Sequence, residues 1–271
     1  MENNNLDYIM QGRLEFFRSS SIYSPLPEAA FQSNGEGFYY YCSGVDFPLC
    51  NGIINQNNDI ISELIIEKAI HFFQKRKLPF MWWSSDKMLE KMGFQFGGIL
   101  TGIILDISEK IQQNQPTINL LTIKKIEEKN ELDNFIKLTA NGFGMNVKAS
   151  EQFFAVNNST MNSGKQLHFL ALLDNVPVGT ATLSISDSTL GIWNLTTILE
   201  HRRYGIGTSL VLAILLEARK LGYQYVIAIL MPKGMASGLF ARLGFKEICQ
   251  LPFYVYDMPT KDVTIQVPLQ H

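Results

Sequence analysis

L-T-T-I-L-E-H-R-R-Y-G-I-G-T-S-L-V, Leu195 to Val211, joins a strand to a long helix and sets the reading of the whole chain. Thr189 to Ile198 is strand-like. From Gly207 to Leu221 the residues Leu210, Val211, Ile214, Leu215 and Ala218 recur at helical intervals, and Gly222 ends the helix. At the junction Arg202 supplies a permanent charge, while Gly205 and Gly207 free the backbone to curl. The first N–H groups of a helix have no partner within it, so here they open into the curl. Successive amides beside arginines form an anion site, and its geometry suits a pyrophosphate.

Outward from this junction, the second half reads as alternating strands and helices. Thr117 to Ile123 is an alternating strand, followed by helices around Asn130 to Thr139 and Ser150 to Val156. Leu167 to Leu173 and Val178 to Ile185 form a hairpin about Asp174, Asn175 and Pro177. Beyond the long helix, Tyr223 to Met231 is so evenly apolar that it suits a strand covered on both faces. A short helix, Met235 to Leu243, and a strand pair, Lys246 to Cys249 and Phe253 to Asp257, complete the unit, with Val263 to Leu269 as one more extended piece or a loose tail.

The first half echoes this order. A helix over Leu6 to Phe17 precedes strands at Phe38 to Cys42 and Pro48 to Asn55, then a helix from Asp59, its expected cap, to Lys77. Pro79 to Ser85 reads as a strand, Asp86 to Met92 as a short helix, and Phe94 to Phe96 and Ile99 to Ile107 as two strands with Gly97-Gly98 as their turn. L-E-K-M-G-F at Leu89 to Phe94 matches A-R-L-G-F at Ala241 to Phe245, so the halves read as copies. The first copy enters its long helix through I-N-Q-N-N-D-I-I, without glycine or arginine, and so lacks the phosphate-holding loop. The polar run from Ile107 to Pro116 is the best linker, giving a first domain over residues 1–112 and a second over 113–271.

Composition narrows the partners. The 271 residues carry a formal net charge of −2, which gives no overall electrostatic case for nucleic acid or an anionic membrane. No apolar run reaches membrane-spanning length, and Met1 to Asp7 has no signal-peptide pattern. A cytoplasmic location is therefore expected, with export by a route that leaves no such signal still open. Cys42, Cys50 and Cys249 have neither disulfide-framework nor zinc spacing, so no metal is expected.

Arg202-Arg203-Tyr204-Gly205-Ile206-Gly207 fits R/Q-x-x-G-x-G/A, and A-S-G-L-F-A-R-L-G-F follows at a distance. On these motifs the second half, from about Pro116 to Met258, resembles the GCN5-related N-acetyltransferase (GNAT) superfamily, and the first half resembles the same fold with its cofactor loop lost. A dinucleotide fold fits less well, because Leu210 stands where G-x-G-x-x-G needs its last glycine. The resemblance implies an α/β, layered α+β architecture of two tandem GNAT-like domains, each a mixed, mostly antiparallel sheet flanked by helices. It implies acetyl-CoA as acyl donor, with Leu195, Thr196 and Thr197 pairing with the pantetheine amides. Arg202, Arg203, Tyr204, Gly205, Ile206, Gly207 and Thr208 would surround the pyrophosphate, and Phe240 would lie by the thiol.

Two departures from the family pattern matter. The tyrosine often found in the short C-terminal helix, near the leaving thiolate, is Phe240 here, and a phenyl ring cannot donate a proton. A frequent asparagine at that helix entrance is replaced by Lys233. Tyr254 and Tyr256, one strand later, are candidate acids; Glu200 and His201 are candidate bases, and His168 reads as a core histidine. Deprotonating an ordinary lysine at pH 7 costs roughly 4 to 5 kcal/mol against about 1 for an α-amine, so a site without a strong base favours an amine of low pKa.

Trp82 and Trp83 read as packing between the halves, with a substrate platform as the competing role. The resulting expectation is an N-acetyltransferase acting on a primary amine of a small molecule, peptide or protein, as a monomer or homodimer. The competing readings are a non-catalytic CoA-binding sensor or interaction module, and an enzyme whose first half recruits a protein to be modified.

Overall fold

The computed structural model describes residues 2–55, 61–108, 118–231 and 236–258. Its first half runs α1 (Glu2–Ile22), β1 (Ala30–Ser33), β2 (Phe38–Cys42), β3 (Asn51–Asn55), α2 (Glu63–Gln74), β4 (Phe80–Trp83), α3 (Met88–Lys91) and β5 (Gln95–Asp106). The second runs β6 (Leu121–Lys125), α4 (Lys129–Phe143), α5 (Val147–Asn162), β7 (Gln166–Leu173), β8 (Val176–Ile185), β9 (Leu190–Thr197), α6 (Ile206–Lys220), β10 (Tyr225–Leu230), α7 (Ser237–Arg242) and β11 (Lys246–Tyr256). Ser62 caps α2 by accepting from the Ile65 amide. The expected cap Asp59 lies outside the described residues, as do Lys233, most of the linker and the tail beyond Met258.

The eleven strands of the described residues form one sheet in the order β1-β2-β3-β4-β11-β5-β10-β9-β8-β7-β6. β3 is parallel to β4 and β9 to β10; the other neighbours are antiparallel. Apart from the edge strand β6, the order is symmetric about the β11–β5 seam, with β1 to β5 standing for β7 to β11. The repeat read from the sequence is thus an architectural one.

The seam also exchanges strands. β5 of the first half pairs with β10 of the second, and β11 of the second pairs with β4 of the first. Cutting the chain at its linker would therefore leave each half without its own inner neighbour. One face of the sheet carries α6 and α7 over the second half, and α2 and α3 over the first. The opposite face carries α1, whose Ile9 and Phe17 pack with Met81, Trp83, Leu100 and Ile227 from both halves. Alternation along β5 produces this division, since Ile103 and Leu105 face α6 while Ile104 faces α1.

Two expected turns are instead irregularities within long strands. Gly97-Gly98 does not divide β5: the pairing slips between Phe253↔Gly98 and Tyr254↔Phe96, leaving Gly97 as an extra residue in a bulge. A Cβ on Gly97 would lie 2.1 Å from the Phe253 ring, so glycine there serves close packing rather than chain reversal. β11 likewise runs unbroken through Pro252, which pairs with Ile99.

Candidate functional site

β9 and β10 run together only from Leu190/Val226 to Ile192/Ala228, after which they part. β9 also bulges against β8. Its register passes from Thr182↔Trp193 to Thr180↔Thr196, and Asn194 sits in the bulge at φ 52°, a conformation that asparagine tolerates better than most residues. Buried side chains hold it there. Thr180 Oγ1 donates to the Asn194 carbonyl at 2.9 Å, and Asn194 Nδ2 donates to Thr182 Oγ1 at 3.1 Å.

Thr182 Oγ1, which accepts from Asn194, is also hydrogen-bonded to His168 Nδ1, 2.9 Å away. His168 is fully buried beside Phe135, and burial, partly offset by the Asn157 backbone, holds its pKa down at about 4. It is neutral at physiological pH and acts as a structural support behind the bulge.

Past Thr197 the chain makes a short 3-10 turn over Leu199–His201 and curls through two left-handed residues, Arg203 (φ 66°) and Gly205 (φ 88°), before α6 begins at Ile206. Arg202 Nε donates to the Thr197 carbonyl at 3.0 Å, fixing the arginine to the end of the parted strand. No side chain caps α6, so the amides of its first turn open onto the loop. At Gly207 an added Cβ would lie 3.0 Å from Leu239 Cδ1, so α7 packs tightly over the helix start.

A cavity of about 1090 Å³ is lined by this loop, by the parted strands and, on the other face of the sheet, by Phe16, Phe17 and Ser20 of α1. Of the residues expected at a cofactor, Leu195, Thr196, Thr197, Arg202, Arg203, Gly205, Ile206, Gly207, Thr208 and Phe240 all line it. Tyr204 does not: its side chain points outward and is 68% exposed. Phe240 is buried and meets Phe245 edge-on at 4.9 Å.

The proposed acid and base residues fare differently. β11 carries Tyr254 and Tyr256 into the first half's core, away from the cavity. Tyr254 stands opposite Trp82 and donates to Glu90 Oε1 at 3.0 Å, while Tyr256 packs by Phe80 and Phe94. Burial, followed by Glu90, raises the Tyr254 pKa, so its proton is held more firmly. The nomination of both tyrosines is corrected by the strand exchange, which places them beside β4 instead of beside the parted strands. Glu200 is exposed and does not line the cavity, whereas its neighbour His201 does. Cys50 also lines the cavity, but burial pushes its thiol up to about 12, which keeps it protonated and poorly nucleophilic.

The two tryptophans separate. Trp82 is buried on the α2 face, where its Nε1 donates to Asn55 Oδ1 at 2.8 Å. That bond ties the ends of β3 and β4 just past their last pair, Ile54/Trp83. Trp83, on the other face, lines the cavity and donates to Tyr41 Oη at 3.0 Å. Sequence reasoning missed Phe16, Phe17, Trp193 and Asn194 in the cavity wall. Trp193 and Asn194 directly precede the motif strand, which was the available signal; α1 offered none, because its place across the seam is a tertiary fact.

Among the described residues no group of three or more His, Cys, Asp or Glu is arranged to hold a metal ion, and no helix is long and apolar enough to cross a membrane. Residues 139–245 match the family model of the Acetyltransferase (GNAT) family. No curated protein matches the chain. Among solved structures, a GCN5-related N-acetyltransferase from Kribbella flavida matches with a TM-score of 0.64 and 12% identity, over 90% of this chain and 95% of that one. One from Sphaerobacter thermophilus matches at 0.62 and 13%, over 84% and 79%. A tandem GNAT protein from the clavulanic acid biosynthesis pathway matches at 0.59 and 13%, over 96% of each chain. At such identities the likeness is one of fold, and it extends over both halves.

Proposed function

With a GNAT-family domain in its second half, we propose that this protein is an acetyl-CoA-dependent N-acetyltransferase acting on a primary amine. The observation that carries the reading is the continuity of one cavity from the uncapped start of α6, through the parting of β9 and β10, to a chamber on the far face of the sheet. The residues suit a long, doubly phosphorylated ligand. The left-handed Gly205 and the tight packing at Gly207 leave a backbone-lined cradle, and Arg202 and Arg203 bring charge to it. The edge of β9 that β10 leaves at Leu195 to Thr197, with the Thr197 carbonyl already taken by Arg202, offers backbone groups to an amide-bearing arm.

When bound, acetyl-CoA supplies an acyl group activated as a thioester. The chain's part is to orient and shield. The bulge at Asn194 turns β9 backbone toward the gap, where an N–H can polarise a carbonyl, and Phe240 excludes water beside the sulfur position. His201 is the titratable side chain best placed to take a proton from the entering amine, directly or through water. The acceptor arrives from the chamber, so residues of both halves shape its site while residues 113–271 hold the donor.

Phe240 favours one second reading, a CoA-binding sensor or interaction module without turnover, because it brings no proton donor to the sulfur. Release of free CoA thiol across a panel of amines decides between them. Acceptor-dependent release above hydrolysis supports the transferase, and tight CoA binding without release overturns it.

A further inference from the structure

The chamber beyond the parted strands is walled by aromatic rings from both halves. Trp193 stacks on Phe16 at 4.1 Å with 8° between planes, and Phe17 meets Trp83 at 5.9 Å. Phe153 and Leu100 also line the cavity. These rings offer faces and edges rather than hydrogen bonds, because their polar atoms are engaged elsewhere. Trp83 Nε1 donates to Tyr41 Oη, and Trp193 Nε1 donates to Ser184 Oγ at 2.8 Å.

The amides and hydroxyl on the same wall are similarly engaged. Asn157 Nδ2 donates to the Phe153 carbonyl at 2.7 Å, Ser20 Oγ donates to the Phe16 carbonyl at 2.9 Å, and Gln166 Nε2 donates to Ser20 Oγ at 3.0 Å. Two indoles pinned by their N–H groups, each in contact with Phe17, make a rigid aromatic wall suited to a flat apolar body.

Charge narrows the class further. Behind Trp83 lies Arg13 of α1, 2% exposed, with its guanidinium 4.8 Å from the ring centroid and Nη2 directed at Met10 Sδ, 3.2 Å away. Its Nε has no hydrogen-bond partner among the described residues. Burial lowers its pKa to about 10, so it stays charged at neutral pH. One face of Trp83 is thus already given to a cation. A positive charge set in a low-dielectric wall also opposes a second cation in the chamber. Arg202, Arg203 and Arg242, further along the same cavity, have the same sign.

We propose that the acceptor is an arylamine, a planar apolar body whose amine is uncharged at neutral pH, held against the aromatic wall that Trp83 and Trp193 help to form. The inference rests on the transferase reading for its chemistry. The nitrogen–acyl bond forms as the C–S bond of acetyl-CoA breaks, and the proton lost by nitrogen ends on sulfur, giving the N-aryl acetamide and free CoA thiol. An unprotonated amine needs no base to make its lone pair available, which fits a cavity whose lining, among the described residues, holds no aspartate or glutamate and a single histidine, His201.

The test uses the full chain and three amines of similar bulk: 4-propylaniline, 4-propylbenzylamine and n-nonylamine. Tryptophan fluorescence and calorimetry at pH 7.5, without CoA, should give at least tenfold tighter binding of 4-propylaniline than of the two protonated amines. Trp83→Ala should weaken that binding at least tenfold while CoA affinity stays within twofold. Trp83→Phe, which keeps the ring, should lie between, and it serves if the alanine variant melts early. Equal or tighter binding of either protonated amine, or unchanged 4-propylaniline binding in both variants, overturns the inference. Thiol release with other amines but no binding of 4-propylaniline overturns it while leaving the transferase reading intact. Tight 4-propylaniline binding without thiol release supports aryl recognition and overturns the transferase reading instead.

Discussion

Replacing Gly205 by valine strikes the loop at its most constrained point. Gly205 sits at φ 88° immediately before α6, with Arg203 also left-handed two residues earlier. An L-residue in the left-handed region costs roughly 1–2 kcal/mol, and β-branching makes the fit worse. The chain then either holds the curl under strain or relaxes to negative φ and swings the first amides of α6 out of line. Each charge-assisted hydrogen bond to a phosphate is worth about 1.5–3 kcal/mol, so losing one weakens CoA binding by roughly ten- to a hundredfold. Isothermal calorimetry with CoA reads the affinity, and thermal melting checks that the fold survives. A variant that melts like the parent yet binds CoA within twofold of it would refute the assignment of this loop to the pyrophosphate.

Three further predictions follow from the same geometry. Thr182→Val keeps the shape but strips the bonds to both Asn194 Nδ2 and His168 Nδ1, and should cost about 1–3 kcal/mol of stability by urea unfolding. No measurable loss would show that the bulge is held by packing alone. Because His168 titrates near 4 in the folded protein against 6.5 for an ordinary histidine, its neutral form favours folding above pH 6.5, and this contribution, about 3 kcal/mol at most, fades as pH falls toward 4. His168→Gln should flatten stability over that window, and an unchanged slope would assign the acid sensitivity elsewhere. Deleting residues 1–112 removes β5 from between β10 and β11 as well as the α1 cover, so the remaining chain should be insoluble or lack cooperative melting; a soluble fragment with native CoA affinity would contradict the shared-sheet account.

Much of this arrangement could be read from local patterns because local patterns cause it. Glycines and arginines at a strand-to-helix junction determine backbone curl and charge wherever they occur, so the loop from Arg202 to Thr208 was visible. The duplicated G-F helix endings likewise revealed the repeat. The strand exchange was not readable, since β5 and β11 have similar alternation and would satisfy either neighbour; which one each pairs with is decided by the packing across the whole sheet. That single tertiary choice moved Tyr254 and Tyr256 out of reach and built the chamber from residues in both halves. Gly97-Gly98 misled for a related reason. A glycine pair signals freedom of the backbone, but here the need was space for the Phe253 ring.

The central claim is that the donor lies in the second half, along β9 and against the start of α6. A crystal structure of the complex with CoA tests it most directly. The expected result is the pyrophosphate within hydrogen-bond reach of the Ile206 to Thr208 amides, the pantetheine in the gap between β9 and β10, and the thiol beside Phe240. CoA bound in the first half, or on the second half outside that gap, would contradict it.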